Sequence, residues 1–146
     1  MAESEHPDPD SPAEVAELLT RAARRLRRNE RKELAPYGLT FAQARALRKV
    51  VDHGPLRIGD LAELLEIVPR SATTRVDDLE RTKLVVRSAD PGDRRSVIVS
   101  ATAEGHELVA RLREERAAGA EALFAPLSPD ERAHLARLLL SLAEDA

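Results

Sequence analysis

Apolar residues recur at helical spacing at both ends of the chain and at strand spacing only in its middle. Val15, Leu18, Leu19, Ala22, Ala23 and Leu26 fall on one helical face. Ahead of them Ser11-Pro12-Ala13-Glu14 forms a capping box with Pro at the first helical position. The spacing predicts a long helix running to about Leu34, closed by Pro36 and Gly38. Thr40-Phe41-Ala42-Gln43 is a second capping box, and the helix it opens turns Ala44, Leu47, Val50 and Val51 inward before His53-Gly54-Pro55 stops it. Thr102 with Glu104 starts a further helix carrying Leu108, Val109, Leu112, Leu123 and Phe124. Ser128-Pro129-Asp130-Glu131 is a third box, opening a last helix with Leu135, Leu138, Leu139 and Leu142 on one face.

The middle reads differently. Leu56-Arg57-Ile58 is a very short strand. Gly59 is the expected N-cap of a helix bearing Leu61, Ala62, Leu64 and Leu65. Pro69 then opens a second helix, with Ala72, Val76 and Leu79 on one narrow face. Two short helices separated by so few residues form a helix-turn-helix pattern. Leu84–Arg87 and Ser96–Ser100 are β-branched runs, and the segment between them contains Asp90-Pro91-Gly92-Asp93, which is turn chemistry. Helix, turn, helix and hairpin in that order predict a mainly α fold with a small β-wing, a winged helix-turn-helix.

Composition narrows the function. The chain has 146 residues, 42% hydrophobic and 34% charged, enough for one domain with a real core. Aromatics are only 2%, so Leu, Val and Ala must fill that core. No run approaches the roughly 20 apolar residues of a membrane span, and no apolar signal core opens the chain. The absence of cysteine excludes thiol redox sensing and Cys-ligated zinc, and the expected location is the cytoplasm. No Gly-rich phosphate loop, no Ser-His-Asp arrangement and no metal-ligand spacing among His6, His53, His106 and His134 is present. The chain is therefore read as a non-enzyme with no catalytic residues, no cofactor and no metal. The net charge of −3 hides a strong segregation. Residues 1–20 carry −6, residues 21–34 carry +5, residues 54–100 balance to zero and residues 101–146 carry −4. Net charge alone decides nothing about nucleic acid; local charge does.

The local chemistry sits in the winged-helix segment. Opposite Ala72, Val76 and Leu79 stand Arg70, Thr74, Asp77 and Arg81, flanked by Ser71 and Thr73, with Arg75 nearer the buried edge. The first half of a recognition helix presents such side chains to base edges, where Arg pairs with guanine and Ser or Thr serves bases or phosphates. The bland reading is an amphipathic helix with a solvated polar face. At the hairpin tip, Asp93, Arg94 and Arg95 put two guanidinium groups where they can enter a narrow minor groove. Asp93 is expected to hold the Arg95 side chain extended. Here the bland reading is a charged tip that serves solubility. A wing that directly follows a helix-turn-helix favours DNA over both.

Leu79 through Arg87, then Asp90-Pro91-Gly92-Asp93-Arg94-Arg95, then Val97 through Gly105, resemble the signature of the MarR family. Asp93 and Arg95 match that family's wing pair, and Thr102 to Gly105 its Thr-x-x-Gly start of the next helix. Asp60-Leu61-Ala62-Glu63 resembles its first helix-turn-helix element, and the resemblance covers roughly residues 12 to 145. Three positions depart from the pattern: Glu66 and Lys83 stand where Gly is usual, and Val68 replaces a Ser or Thr cap. The resemblance implies a homodimer of interlocked terminal helices that represses a palindromic operator and is released by a small, often anionic aromatic inducer. The leucines of 135–142 support a partnered surface independently. The resulting plan is an acidic disordered tail at 1–11, a first dimerisation helix at 12–38, a DNA-binding lobe at 39–100 and C-terminal dimerisation helices at 101–146. DNA-binding candidates are Arg70, Ser71, Thr73, Thr74, Arg75, Asp93, Arg94 and Arg95. Partners are double-stranded DNA, a second copy and a small-molecule inducer, with no membrane. Arg24, Arg28, Tyr37, Arg45 and His53 are placed near an inducer cleft. The basic stretch Arg21–Lys32 is expected to pair with acids such as Glu114, Glu115 and Glu121. The alternative from another class is a winged-helix module that docks a protein through its helix faces.

Overall fold

A computed structural model describes residues 11–143. The expected acidic tail therefore lies outside the described residues, Ser11 apart. The chain runs α1 (Pro12–Leu34), a 3-10 turn (Ala35–Tyr37), α2 (Phe41–His53), β1 (Leu56–Arg57), α3 (Ile58–Leu65) and α4 (Pro69–Arg81). It continues through β2 (Val85–Asp90), β3 (Asp93–Ala101), α5 (Ala103–Phe124) and α6 (Pro129–Ala143). No helix among the described residues is long and apolar enough to cross a membrane.

The described residues divide into two compact units, residues 30–115 and a second made of the two ends, residues 11–29 with 116–143. The first unit holds the core. Ala44, Leu47 and Val50 of α2, Leu61 and Leu65 of α3, and Ala72, Val76 and Leu79 of α4 are buried, as their spacing requires. Leu108, Val109 and Leu112 of α5 join them, with Val85 and Val99 from the sheet. In the second unit α6 buries none of its residues, and Leu138, Leu139, Leu140 and Leu142 are exposed along with Val15, Leu18 and Leu19 of α1.

Two of the expected capping boxes close reciprocally. Thr40 Oγ1 accepts from the Gln43 N–H while Gln43 Oε1 accepts from the Thr40 N–H. Ser128 and Glu131 repeat the exchange at α6. Two boundaries differ from the sequence reading. Helix α3 starts at Ile58 behind an Arg57 N-cap rather than at Gly59, a shift of the size that fraying ends allow. The wing strands are also longer than their β-branched runs: Ser88, Ala89 and Asp90 pair against Ile98, Val97 and Asp93. Pro91 and Gly92 make the turn, and the register shifts between Ala89 and Asp90, so that Arg94, Arg95 and Ser96 have no partner in the ladder.

Candidate nucleic-acid interface

The sheet order is β1-β3-β2, all antiparallel, with β1 contributing only Leu56 opposite Val99 and Arg57 opposite Ile98. The β2–β3 hairpin follows directly on α4, and two joints fix its angle to that helix. At the first, α4 ends in a Schellman arrangement: the Leu84 N–H donates to the Leu79 carbonyl and the Lys83 N–H to that of Glu80. Lys83 takes φ 62 there, the strained value anticipated for a residue in a Gly position. Glu66 does the same at the end of α3, with φ 55. At the second joint Arg87 of β2 donates to Asp77 and to Glu80 of α4 at 3.0 Å. Burial pulls the Arg87 guanidinium down, and its two carboxylate partners more than offset that, leaving its pKa above the usual arginine value. Asp77, which periodicity placed on the same face as Arg70, is thus neutralised towards the wing.

The Thr-x-x-Gly segment adds a third fixture. Thr102 Oγ1 donates to the Lys83 carbonyl at 2.7 Å and accepts from the Gly105 N–H at 3.1 Å, so one hydroxyl caps α5 and ties it to the end of α4. Gly105 is required by close approach, because a Cβ there would stand 2.2 Å from the Leu84 carbonyl oxygen.

On α4 the expected side chains are displayed but not all in the expected way. Arg70 and Thr74 are exposed, and Ser71, Thr73 and Arg75 are half-buried. Arg70 and Arg75 have no ion-pair partner among the described residues. Thr73 and Thr74 each turn the hydroxyl back to the carbonyl four residues earlier, at 3.1 and 3.2 Å. In that rotamer they offer only lone pairs, which suit the amino groups of adenine or cytosine; donation to a phosphate requires rotation. Val68 provides no side-chain cap, as its chemistry predicts.

At the wing tip Arg94 and Arg95 are exposed and likewise without an ion-pair partner among the described residues. Asp93 holds the backbone rather than the expected guanidinium: its carboxylate accepts from the Arg95 N–H at 3.0 Å and from the Ser96 hydroxyl at 3.0 Å. A carboxylate two residues ahead on a tight turn reaches that amide more easily than a long side chain pointing away. Asp90 accepts in the same manner from the Gly92 N–H at 2.9 Å and is also gripped by Arg57 of β1. The Gly92 amide first, then Arg57, hold the Asp90 carboxyl below the ordinary value of 3.8. Sequence reasoning missed Arg57, whose partner lies 33 residues away.

These two presentations, a recognition helix and a jutting two-Arg tip, sit on a rigid core. The sequence model of the MarR family matches residues 37–96. The chain is 33% identical over 113 residues to the HTH-type transcriptional repressor MdtR of Bacillus subtilis strain 168, spanning 75% of this chain and 70% of that one. The chain belongs to the MarR family. Another relative, the HTH-type transcriptional regulator PecS of Dickeya dadantii strain 3937, is 31% identical over 140 residues, covering 93% of this chain and 84% of PecS. Among solved structures, RV1404 of Mycobacterium tuberculosis superposes with a TM-score of 0.81 at 27% identity, covering 99% of this chain and 96% of that one. The family assignment makes the chain a DNA-binding transcriptional regulator with a winged-helix fold, and the matched relatives are regulators rather than enzymes.

Among the inducer candidates of this MarR chain, Arg24 and Arg28 lie on α1, Tyr37 in the 3-10 turn, and Arg45 and His53 on α2. Arg24 and Arg28 line a concavity of about 460 Å³ with Arg21, Arg25, Leu18 and Leu123. Tyr37 accepts from Arg111 at 3.3 Å beneath its guanidinium. Arg45 donates to the Leu65 carbonyl at 3.3 Å, satisfying the end of α3, and His53 is exposed in the last turn of α2. None of the ion pairs found among the described residues joins Arg21–Lys32 to Glu114, Glu115 or Glu121. Instead Arg48 of α2 pairs with Glu30 at 2.7 Å, and Arg31 lies over the Phe41 ring.

Proposed function

We propose that the protein is a homodimeric repressor that binds a palindromic operator through Arg70, Ser71, Thr73, Thr74 and Arg75 of α4 and through Asp93, Arg94 and Arg95 of the wing. The observation that carries this reading is the pairing pattern. The acids beside the interface are taken up internally, Asp77 and Glu80 by Arg87, Asp90 by Arg57 and Asp93 by its own turn. Four arginines are left with their charge unspent on the two elements that a winged helix offers to the grooves. Asp93 acts by shaping the tip that carries Arg95. Exposed Leu138, Leu139, Leu140 and Leu142 of α6 and Val15, Leu18 and Leu19 of α1 form the dimer surface. Two-fold symmetry then sets recognition helices about one DNA turn, or a multiple of it, apart. The guanidinium-lined concavity at Arg24 and Arg28 supports an anionic inducer, which lowers operator affinity by favouring a spacing of the two helices that does not fit the operator.

The test is fluorescence-anisotropy titration against the DNA immediately upstream of the protein's own gene, with unrelated DNA as control, across a salt series. Site-selective binding at one dimer per palindrome, falling steeply as salt rises, is expected. Arg95→Ala is expected to weaken that binding about tenfold or more while leaving thermal unfolding unchanged, in the range of a lost groove contact. Equal affinity for both DNAs, together with no enriched sequence after selection from genomic fragments, would sink the repressor reading in favour of a protein-docking module.

A further inference from the structure

The outer half of the wing has little to hold it. Strand β1 covers only two residues of β3, at Val99 and Ile98, so from Val97 to the turn β3 has only β2 beside it, with Arg94, Arg95 and Ser96 unpaired at a register shift. Two-stranded ribbons are marginal in water without a third strand or a packed face. Here Ser96 and Val97 line an open groove of about 330 Å³ together with Arg57, Ile58, Gly59 and Asp60. Where the β1 ladder stops, the Arg57 guanidinium reaches the Asp90 carboxylate, with Nη2 at 2.7 Å and Nε at 3.1 Å from the same oxygen. The other carboxylate oxygen accepts from the Gly92 N–H at 2.9 Å, inside the turn itself. Asp90 is 16% exposed against 51% for Arg57, so the pair is anchored at the wing and supplied from the body of the domain.

We propose that Arg57 is a positioning residue for DNA binding: its grip on Asp90 continues the support of the sheet out to the turn and holds Arg94 and Arg95 at a fixed height above the domain. The proposal rests on the DNA-binding reading above. Arg57 acts through Asp90 and is not itself the group that contacts DNA. Losing the pair lets the tip swing, and the ordering of the tip must then be supplied at binding, at the expense of affinity.

Asp90→Asn decides the matter by its sign. Asparagine still accepts from Gly92 but gives up the charged partner. Removing an acid beside bound DNA would strengthen binding on electrostatic grounds alone, whereas loss of the clamp weakens it. The experiment measures amide hydrogen exchange over the wing, and affinity for a duplex that the full-length protein selects from genomic fragments. Arg57→Ala and Asp90→Asn are each expected to speed exchange at Gly92, Arg94 and Arg95 without changing the core of α2 and α4. Each should weaken duplex binding about tenfold, with the double variant no weaker than either single one, as for two members of one interaction. The salt slope should stay at its wild-type value, and Arg57→Lys should restore part of the affinity. Tighter binding by Asp90→Asn, or a salt slope reduced by about one in Arg57→Ala, would overturn the proposal and make Arg57 a direct phosphate contact. Unchanged wing exchange in both variants would overturn it as well. A wild-type protein that selects no duplex would sink the DNA-binding reading, and the purpose assigned to the clamp with it, whereas the exchange data decide separately whether the clamp holds the tip.

Discussion

Lys83 and Glu66 hold backbone angles at which a Cβ crowds the following carbonyl oxygen, at about 1–2 kcal/mol each in a non-Gly residue. Lys83 is exposed and its side chain has no ion-pair partner among the described residues, so Lys83→Gly relieves this strain and sacrifices little. Its unfolding free energy in urea is expected to rise by about 1 kcal/mol, and a decrease would mean that the lysine stem packs usefully after all. The carboxylates at the tip and on α2 make a second residue-scale prediction. Asp90 is held low by Gly92 and Arg57, and Asp52 by Arg113. A depressed carboxyl stabilises the fold above its unfolded value of 3.8, and that contribution disappears as pH falls through the lower folded value. The stability gap between wild type and Asp90→Asn should therefore be constant at mildly acidic pH and shrink only below 3.8, as read by urea midpoints across a pH series. The positions of these residues were legible from the chain. The strain of positive φ at Lys83 was anticipated from the family resemblance, in which Gly is usual there, and Glu66 likewise stands at a usual Gly position. The hydrogen bonds of Asp93 were not legible, because spacing alone cannot tell whether a carboxylate takes the amide or the side chain two residues on.

Helices announced themselves through capping boxes and apolar faces, and the hairpin through two β-branched runs. What escaped the sequence was how far each element extends and how the elements are joined. Ser88–Asp90 and Asp93 have no strand propensity of their own and are drawn into the ladder by a two-residue turn, while a register shift leaves Arg94, Arg95 and Ser96 without a partner across it. Arg87 was visible as a residue in a strand, but its span back to Asp77 and Glu80 depends on the angle between β2 and α4, which no local pattern encodes. Replacing Arg87 by Met keeps its bulk but leaves Glu80 and Asp77 uncompensated. The expected loss is about 2 kcal/mol of stability, the range for hydrogen bonds to charged groups, together with weaker DNA binding from the loss of one positive charge beside the recognition helix. An Arg87→Met variant with wild-type melting and wild-type DNA affinity would show that the α4–β2 joint is held by packing alone.

At the scale of the molecule, the buried leucines and valines of residues 30–115 explain why that unit stands by itself, while α6 has no buried residue at all. Leu139→Glu on that helix is expected to convert a species of twice the chain mass to one of the chain mass in light scattering, and to abolish operator binding with it. A wild-type protein that runs at the chain mass would refute the dimer. A quite different consequence follows from the contact of Tyr37 with Arg111. The chain has one tyrosine, two phenylalanines and no tryptophan, so its emission when excited beyond the phenylalanine band comes from that single tyrosine ring, lying under a guanidinium and accepting from it. Any event that shifts the start of α2 against α5 will change the brightness of this one fluorophore. The protein thus carries a built-in optical reporter at a known address, readable without dye, label or substitution.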